Sequence, residues 1–177
     1  QVVSSLADQG VHLDHIANII AACVTTGRRV YTLGNGGSAA DAQHIAGEML
    51  GRFKTKRVSL PVLALSTDTS ALTAIANDFS YEEIFSRPLE GLLQPGDVVW
   101  ALSTSGNSPN VLAALRTARE RNATVIGFTG QTGGKMADLC THIFKAPHSA
   151  PGRIQQAHQL AYHYICFGSP LTLATFH

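Results

Sequence analysis

The chain has 177 residues, of which 45% are hydrophobic and only 14% charged, and its formal net charge is +1. That length supports one sizeable core. The near-neutral balance excludes a general field drawing the chain to nucleic acid or an anionic membrane, and the scarcity of charge predicts that part of the surface is buried in an oligomer. Cys23, Cys140 and Cys166 are widely spaced, form no CxxC and are odd in number, so they read as reduced core residues. No stretch has the purity of a membrane span or a signal peptide, and a cytoplasmic setting is expected.

Residues 1–27 read as an amphipathic helix, with Leu13, Ile16, Ile19, Ile20, Cys23 and Val24 at helical spacing and Gly27 at its end. Val30 to Leu33 is a short apolar run, the first expected strand. The glycine-rich loop Gly34-Asn35-Gly36-Gly37 follows, then a helix from about Ser38 to Leu50. Ser38 is the expected cap of that helix, with Asp41 three residues on. Leu60 to Ser66 reads as the second strand, and Thr67-Asp68-Thr69 opens a helix to Asn77 whose inner face is Leu72, Ile75 and Ala76. Tyr81 to Leu93 continues as helix broken near Pro88. After the turn Gln94-Pro95-Gly96-Asp97, Val98 to Leu102 is the third strand, delivering Ser103-Thr104-Ser105-Gly106-Asn107-Ser108. Ser108-Pro109 reads as the N-cap and first residue of a helix to about Arg121. Thr124 to Phe128 and Thr141 to Lys145 are the fourth and fifth strands, with a short helix near Met136 to Leu139 between them. A last helix begins near Arg153.

Near-continuous apolar strands alternating with helices describe a five-stranded parallel sheet covered on both faces, a three-layer α/β sandwich. Ligands in such folds gather beyond the carboxyl ends of the strands, where both polar loops lie. A strand, a glycine turn and a helix start present unpaired amides to an anion. The glycine loop matches neither a Walker A loop nor the dinucleotide fingerprint, and a ligand-free turn stays open for it. The serine loop is less ambiguous: Ser103, Thr104, Ser105 and Ser108 beside a glycine and a helix start make a neutral nest of donors for phosphate.

His44 and Glu48, four apart on a helix, share a face and read either as a surface pair or as half of a metal site. The last helix offers the other half, since Gln155 and His163 are about two turns apart, whereas His158 points elsewhere and reads as structural. The two helices are expected to meet across neighbouring chains.

Several pieces together resemble a known family: Gly34-Asn35-Gly36-Gly37-Ser38, residues 41–53 (DAQHIAGEMLGRF), Ala76-Asn77-Asp78, residues 103–108 (STSGNS), residues 133–137 (GGKMA) and Arg153-Ile154-Gln155. In order and without large gaps from the first helix to about Cys166, they are similar to the sugar isomerase (SIS domain) family, and within it to the bacterial phosphoheptose isomerases. The resemblance implies one SIS domain over 1–177: N-terminal helix 1–27, a doubly wound, flavodoxin-like core 28–150, C-terminal helix 152–167 and an atypical tail 168–177. It implies oligomer contacts through the terminal helices and a homotetramer with active sites between subunits. It also implies zinc held by His44, Glu48, Gln155 and His163. The serine loop would take the phosphate, while Asn35, Gly36, Gly37, Asn77 and Asp78, with Ser38, His44, Glu48 and Gln155 close by, would line the sugar.

The implied reaction interconverts sedoheptulose 7-phosphate and D-glycero-D-manno-heptose 7-phosphate, toward the heptose of lipopolysaccharide. Moving a proton between C1 and C2 through an enediol needs a base, an acid and stabilised oxygens, and Glu48 and His163 are the candidate pair. A carboxylate held by metal is a poor base, so Glu48 is expected to loosen that bond in turnover unless the metal mainly organises the site. Gly47 and Gly152 depart from acidic residues frequent in the family. The competing reading is a non-catalytic adaptor of the same fold, resembling a protein that associates with the bacterial replication initiator. The expected distinction is that the adaptor lacks the Glu and the last His of the metal set.

Overall fold

A computed structural model describes residues 9–51 and 57–168. Its elements in chain order are α1 (Gly10–Thr25), β1 (Val30–Gly34), α2 (Gly37–Leu50), β2 (Val62–Ala64), α3 (Thr69–Asp78), a 3-10 turn (Tyr81–Glu83), α4 (Ser86–Leu92), β3 (Val98–Ser103), α5 (Pro109–Glu120), β4 (Thr124–Thr129), a second 3-10 turn (Gly134–Asp138), β5 (His142–Lys145) and α6 (Pro151–Phe167). The five strands form one parallel sheet in the order β2-β1-β3-β4-β5. The expected α/β sandwich is borne out.

Successive strand residues point to opposite faces, so the sheet builds two cores. Val30, Val98, Trp100, Leu102, Ile126, Phe128 and Phe144 face α1, α2 and α6. Tyr31, Leu33, Val99, Ala101 and Val125 face α4 and α5, with α3 packed more loosely at the margin. Every residue of β1 and of β3 is buried, which a strand covered on both faces requires.

The helix after β1 lies on one face and the helix after β3 on the other, although β1 and β3 are hydrogen-bonded neighbours. The chain therefore parts between them, and a crevice opens at their carboxyl ends, where doubly wound sheets bind ligands.

Some boundaries differ from the expectation. β2 has only three residues and its central Leu63 is exposed. The break after Tyr81 falls at Ile84-Phe85, and Pro88 sits in the first turn of α4, where its missing N–H is harmless. α6 starts at Pro151, and Pro109 opens α5 as expected. Ser38 does not cap α2: the N-cap is Gly36, whose φ of 55° suits glycine, and Ser38 is buried in the first turn with its N–H on the Asn35 carbonyl at 3.0 Å. Residues 1–8 of the first helix, part of the connector after Gly51 and nearly all of the tail lie outside the described residues.

The structural reading of His158 is supported. It is fully buried, packs between Phe128 and Phe144, and its Nε2–H donates to the Thr129 carbonyl at 3.2 Å. Burial lowers its pKa to about 4, partly opposed by that hydrogen bond. The folded chain thus holds it neutral, while the unfolded chain protonates near 6.5. Its stabilisation is complete above that value and falls as pH drops from about 6.5 toward 4, by roughly 3 kcal/mol in all. Urea unfolding of wild type and His158→Gln at pH 7 and pH 4 should show a smaller acid loss in the variant.

Candidate active site

The glycine loop closes β1 and turns directly into α2, which carries Asp41, His44 and Glu48 along one side. α6 packs beside α2 on the same face of the sheet and brings Tyr162 and His163 to that side. His44 Nε2 lies 3.1 Å from Glu48 Oε1 and 3.4 Å from His163 Nε2, and His163 Nε2 lies 4.0 Å from Glu48 Oε1. The three donors are within 4.8 Å of one another. The expectation that these helices meet across chains is corrected, because they meet within one chain. The two helices lie side by side on one sheet face, with Gly37 beside Gln155 and His44 beside His163, and residue spacing does not reveal it.

The donor set suits a divalent metal. Zinc binds imidazole nitrogen and carboxylate oxygen at about 2.0–2.2 Å, so tetrahedral ligands stand roughly 3.4 Å apart. The observed separations bracket that figure. Side-chain exposures of 42% for His44, 16% for Glu48 and 29% for His163 leave the cluster open to a ligand. Gln155, about two turns before His163, reaches the glycine loop instead: a β-carbon on Gly37 would stand 2.5 Å from its Nε2. The missing side chain of Gly37 is what admits Gln155 there.

Behind the cluster lies a polar chain that the sequence reading missed. Tyr162, fully buried, holds His44 Nδ1 at 3.0 Å and Asp41 Oδ1 at 3.3 Å through its hydroxyl. Burial pushes both Tyr162 and Asp41 up from their ordinary pKa values, and for Asp41 the Tyr162 hydrogen bond opposes the rise. On the opposite side, Arg57 donates to the Glu48 backbone carbonyl at 2.9 Å, a cation placed at the end of α2.

Across the crevice, the serine loop leaves β3 and is fastened from below. Gly106 N–H donates to the Ser103 carbonyl and the Gly106 carbonyl accepts from Met136, both at 3.0 Å; Asn107 Oδ1 accepts from the Lys135 N–H at 3.0 Å. Gly106 has φ of 64°, and a β-carbon there would collide with the Gly133 carbonyl. Ser103 and Ser108 hydroxyls touch at 3.1 Å, and Ser105 Oγ accepts from the Asn107 N–H at 3.1 Å. Ser108 is the N-cap of α5 without a side-chain cap bond. Thr104, Ser105 and Ser108 are not buried, whereas Ser103 is.

The two loops are tied by a second unforeseen contact. Asn35 and Asn110 exchange amide hydrogen bonds at 2.8 and 2.9 Å, Asn110 also accepts from the Val111 N–H, and Tyr81 donates to Asn35 Oδ1 at 3.1 Å. Asn110 looked like an ordinary helix residue in sequence; its burial is the signal that only packing supplies. Asn110→Ala should cost about 1–3 kcal/mol, because it strands the Asn35 amide, and the loss can be read by urea unfolding. Asn77 and Asp78 end α3, exposed and paired with each other at 2.7 Å.

Comparisons with known proteins agree with this geometry. An SIS domain model matches residues 1–130. The phosphoheptose isomerase of Desulfovibrio desulfuricans is 50% identical over 160 residues, covering 90% of this chain and 76% of that protein. That of Aquifex aeolicus is 50% identical over 151 residues, covering 85% and 79%. The solved phosphoheptose isomerase of Neisseria gonorrhoeae superposes with a TM-score of 0.84 at 40% identity, over 93% of this chain and 86% of that one. A Vibrio vulnificus NanR structure, 17% identical with a TM-score of 0.64, shares the fold alone. A chain with this sheet, these two loops and these relatives belongs to the SIS domain family, among its phosphoheptose isomerases.

Proposed function

We propose that the chain interconverts sedoheptulose 7-phosphate and D-glycero-D-manno-heptose 7-phosphate, with zinc held by His44, Glu48 and His163 and by Gln155 once it turns from Gly37. The observation that carries this reading is the three-donor cluster on α2 and α6 in a chain whose relatives are phosphoheptose isomerases. Bound zinc would supply Lewis-acid polarisation of the sugar's carbonyl and hydroxyl oxygens.

The chain's own groups do the rest. Thr104, Ser105 and Ser108 bind phosphate oxygens with hydroxyl and amide donors at the start of α5, with Ser103 supporting them from beneath. Asn35, Gly36, Gly37 and Ser38 form the floor of the sugar site, and Asn77 and Asp78 its outer wall. Glu48 acts as the base. Its Oε1 faces both histidines, which leaves Oε2 to take the proton from C1 and return it to C2. His163 moves the hydroxyl proton from O1 to O2 through Nδ1, the nitrogen turned away from Glu48. One carbon-bound proton and one oxygen-bound proton change place, and no external oxidant or reductant is needed. The two oxygens share one charge, so a metal held at Oε1 would also lower the basicity of Oε2, and Glu48 would loosen that bond in turnover.

We further read the chain as one SIS domain in a cytoplasmic homotetramer serving lipopolysaccharide heptose synthesis, with terminal helices in the subunit contacts. Exposed Val11 on α1 and Leu160, Tyr164 and Phe167 on α6 support that placement. Among the described residues, no helix is long and apolar enough to cross a membrane. The adaptor reading is not favoured, because Glu48 and His163 stand together with His44. The test is elemental analysis with an NMR assay of sedoheptulose 7-phosphate in deuterated water. Zinc in the purified protein and conversion are expected, with deuterium at C2 in those turnovers where the proton held on Glu48 exchanges with solvent; an inactive, metal-free protein that captures a replication initiator would overturn the proposal.

A further inference from the structure

We propose that Tyr162, backed by Asp41, is a positioning residue that fixes the His44 ring in the tautomer able to bind metal. The inference rests on the reading of His44, Glu48 and His163 as a metal site.

A neutral imidazole carries one N–H, and the partner of one nitrogen decides what the other can do. Tyr162 has a single hydroxyl hydrogen, and its candidate acceptors are Asp41 Oδ1 at 3.3 Å and His44 Nδ1 at 3.0 Å, with the Gln159 side chain a further partner of the hydroxyl. An ionised carboxylate only accepts, so the hydroxyl hydrogen goes to Asp41. The hydroxyl oxygen is then an acceptor for the His44 Nδ1–H. His44 Nε2 is left with its lone pair directed at Glu48 Oε1, 3.1 Å away, and at His163 Nε2, 3.4 Å away. The His44 Nε2 lone pair and the Glu48 carboxylate oxygen repel at 3.1 Å unless a cation lies between them. The chain Asp41–Tyr162–His44 thereby biases the cluster toward holding one.

The placement makes the device stiff. Tyr162 is fully buried, and its ring also packs edge-on against His44 at 5.5 Å between centroids and against His163 at 4.8 Å. The tyrosine therefore sets the orientation of one histidine through a hydrogen bond and supports both by contact. Because Phe can reproduce the contact and not the bond, the two contributions are separable.

Partners that orient ligating histidines typically change metal affinity 10–100-fold when removed. Zinc affinity is to be measured by competition with a chromophoric chelator for wild type, Tyr162→Phe, Asp41→Asn and Ile165→Val. Tyr162→Phe is expected to weaken zinc by about 10–100-fold. In the zinc-loaded wild type the His44 Nδ1–H should exchange slowly with solvent in nitrogen-edited NMR, and in Tyr162→Phe it should exchange fast. Asp41→Asn, which keeps an acceptor oxygen, should retain more zinc affinity than Tyr162→Phe. Ile165→Val trims the core of α6 and should lower stability without moving zinc affinity. Equal zinc affinity in wild type and Tyr162→Phe overturns the inference while leaving the metal site standing. Failure of wild type itself to bind zinc overturns the metal site and the inference together.

Discussion

Glu48→Gln is expected to abolish isomerisation while leaving the fold in place. The amide keeps the size of the side chain and removes its basicity, and general base catalysis contributes about 10²–10⁴-fold, so kcat should fall by about a thousandfold. Melting of the metal-free variant should stay close to wild type, since Glu48 is a partly exposed helix residue whose ion pairing is worth little. Zinc content must be measured alongside, because the same substitution weakens one ligand. A variant loaded with zinc yet inactive places the loss in proton transfer. Near-normal turnover would remove Glu48 from the mechanism and leave a sugar-phosphate site without its base.

Gly106→Ala is expected to damage the phosphate side instead. At φ of 64° an added β-carbon is strained, and it meets the Gly133 backbone, which belongs to the turn that fastens the serine loop. Neither party is a flexible side-chain end, so the loop itself must shift. Strain of this kind costs about 1–3 kcal/mol before the collision is counted. A displacement of about 1 Å in a positioning group can cost about 10² in rate. The expected result is a fall of roughly a hundredfold in kcat/KM, carried largely by KM, with zinc affinity unchanged because the metal cluster lies on other elements. A wild-type KM in this variant would show that the serine loop does not hold the phosphate.

These two variants separate the halves of the crevice, and the halves differ in how readable they are in the sequence. The loops are readable because each follows an unbroken apolar strand, Val30 to Leu33 or Val98 to Leu102, and such strands fix both sheet and loop position. His44 and Glu48 are readable as a pair because helical spacing alone puts them on one face. Their meeting with His163 inside one chain is not, because spacing within two helices says nothing about which copies of those helices touch. Ser38 looks like a cap by residue type, yet the backbone takes its positive-φ turn two residues earlier at Gly36. Tyr162 and Asn110 act through partners as far as 121 and 75 positions away, Asp41 and Asn35. Polar groups of that sort become visible when burial forces the question of who satisfies them.

The reading of α3 carries a different lesson. Leu72, Ile75 and Ala76 do turn toward the second core, but no residue of that helix is buried. Asp68 holds its first turn through the Ala71 N–H at 3.0 Å, and Phe79 beyond its end is exposed, with Arg87 over its ring at 3.7 Å. A helix so lightly anchored is free energetically from the sheet: its amides should exchange with solvent earliest among the α-helices of the second face. Asn77 and Asp78 ride on it, so the residues proposed as the outer wall of the sugar site are also ones whose sequence can drift at little cost to the fold. Substrate preference in such a molecule can be remodelled from the rim inward, leaving the buried machinery of α2 and α6 intact.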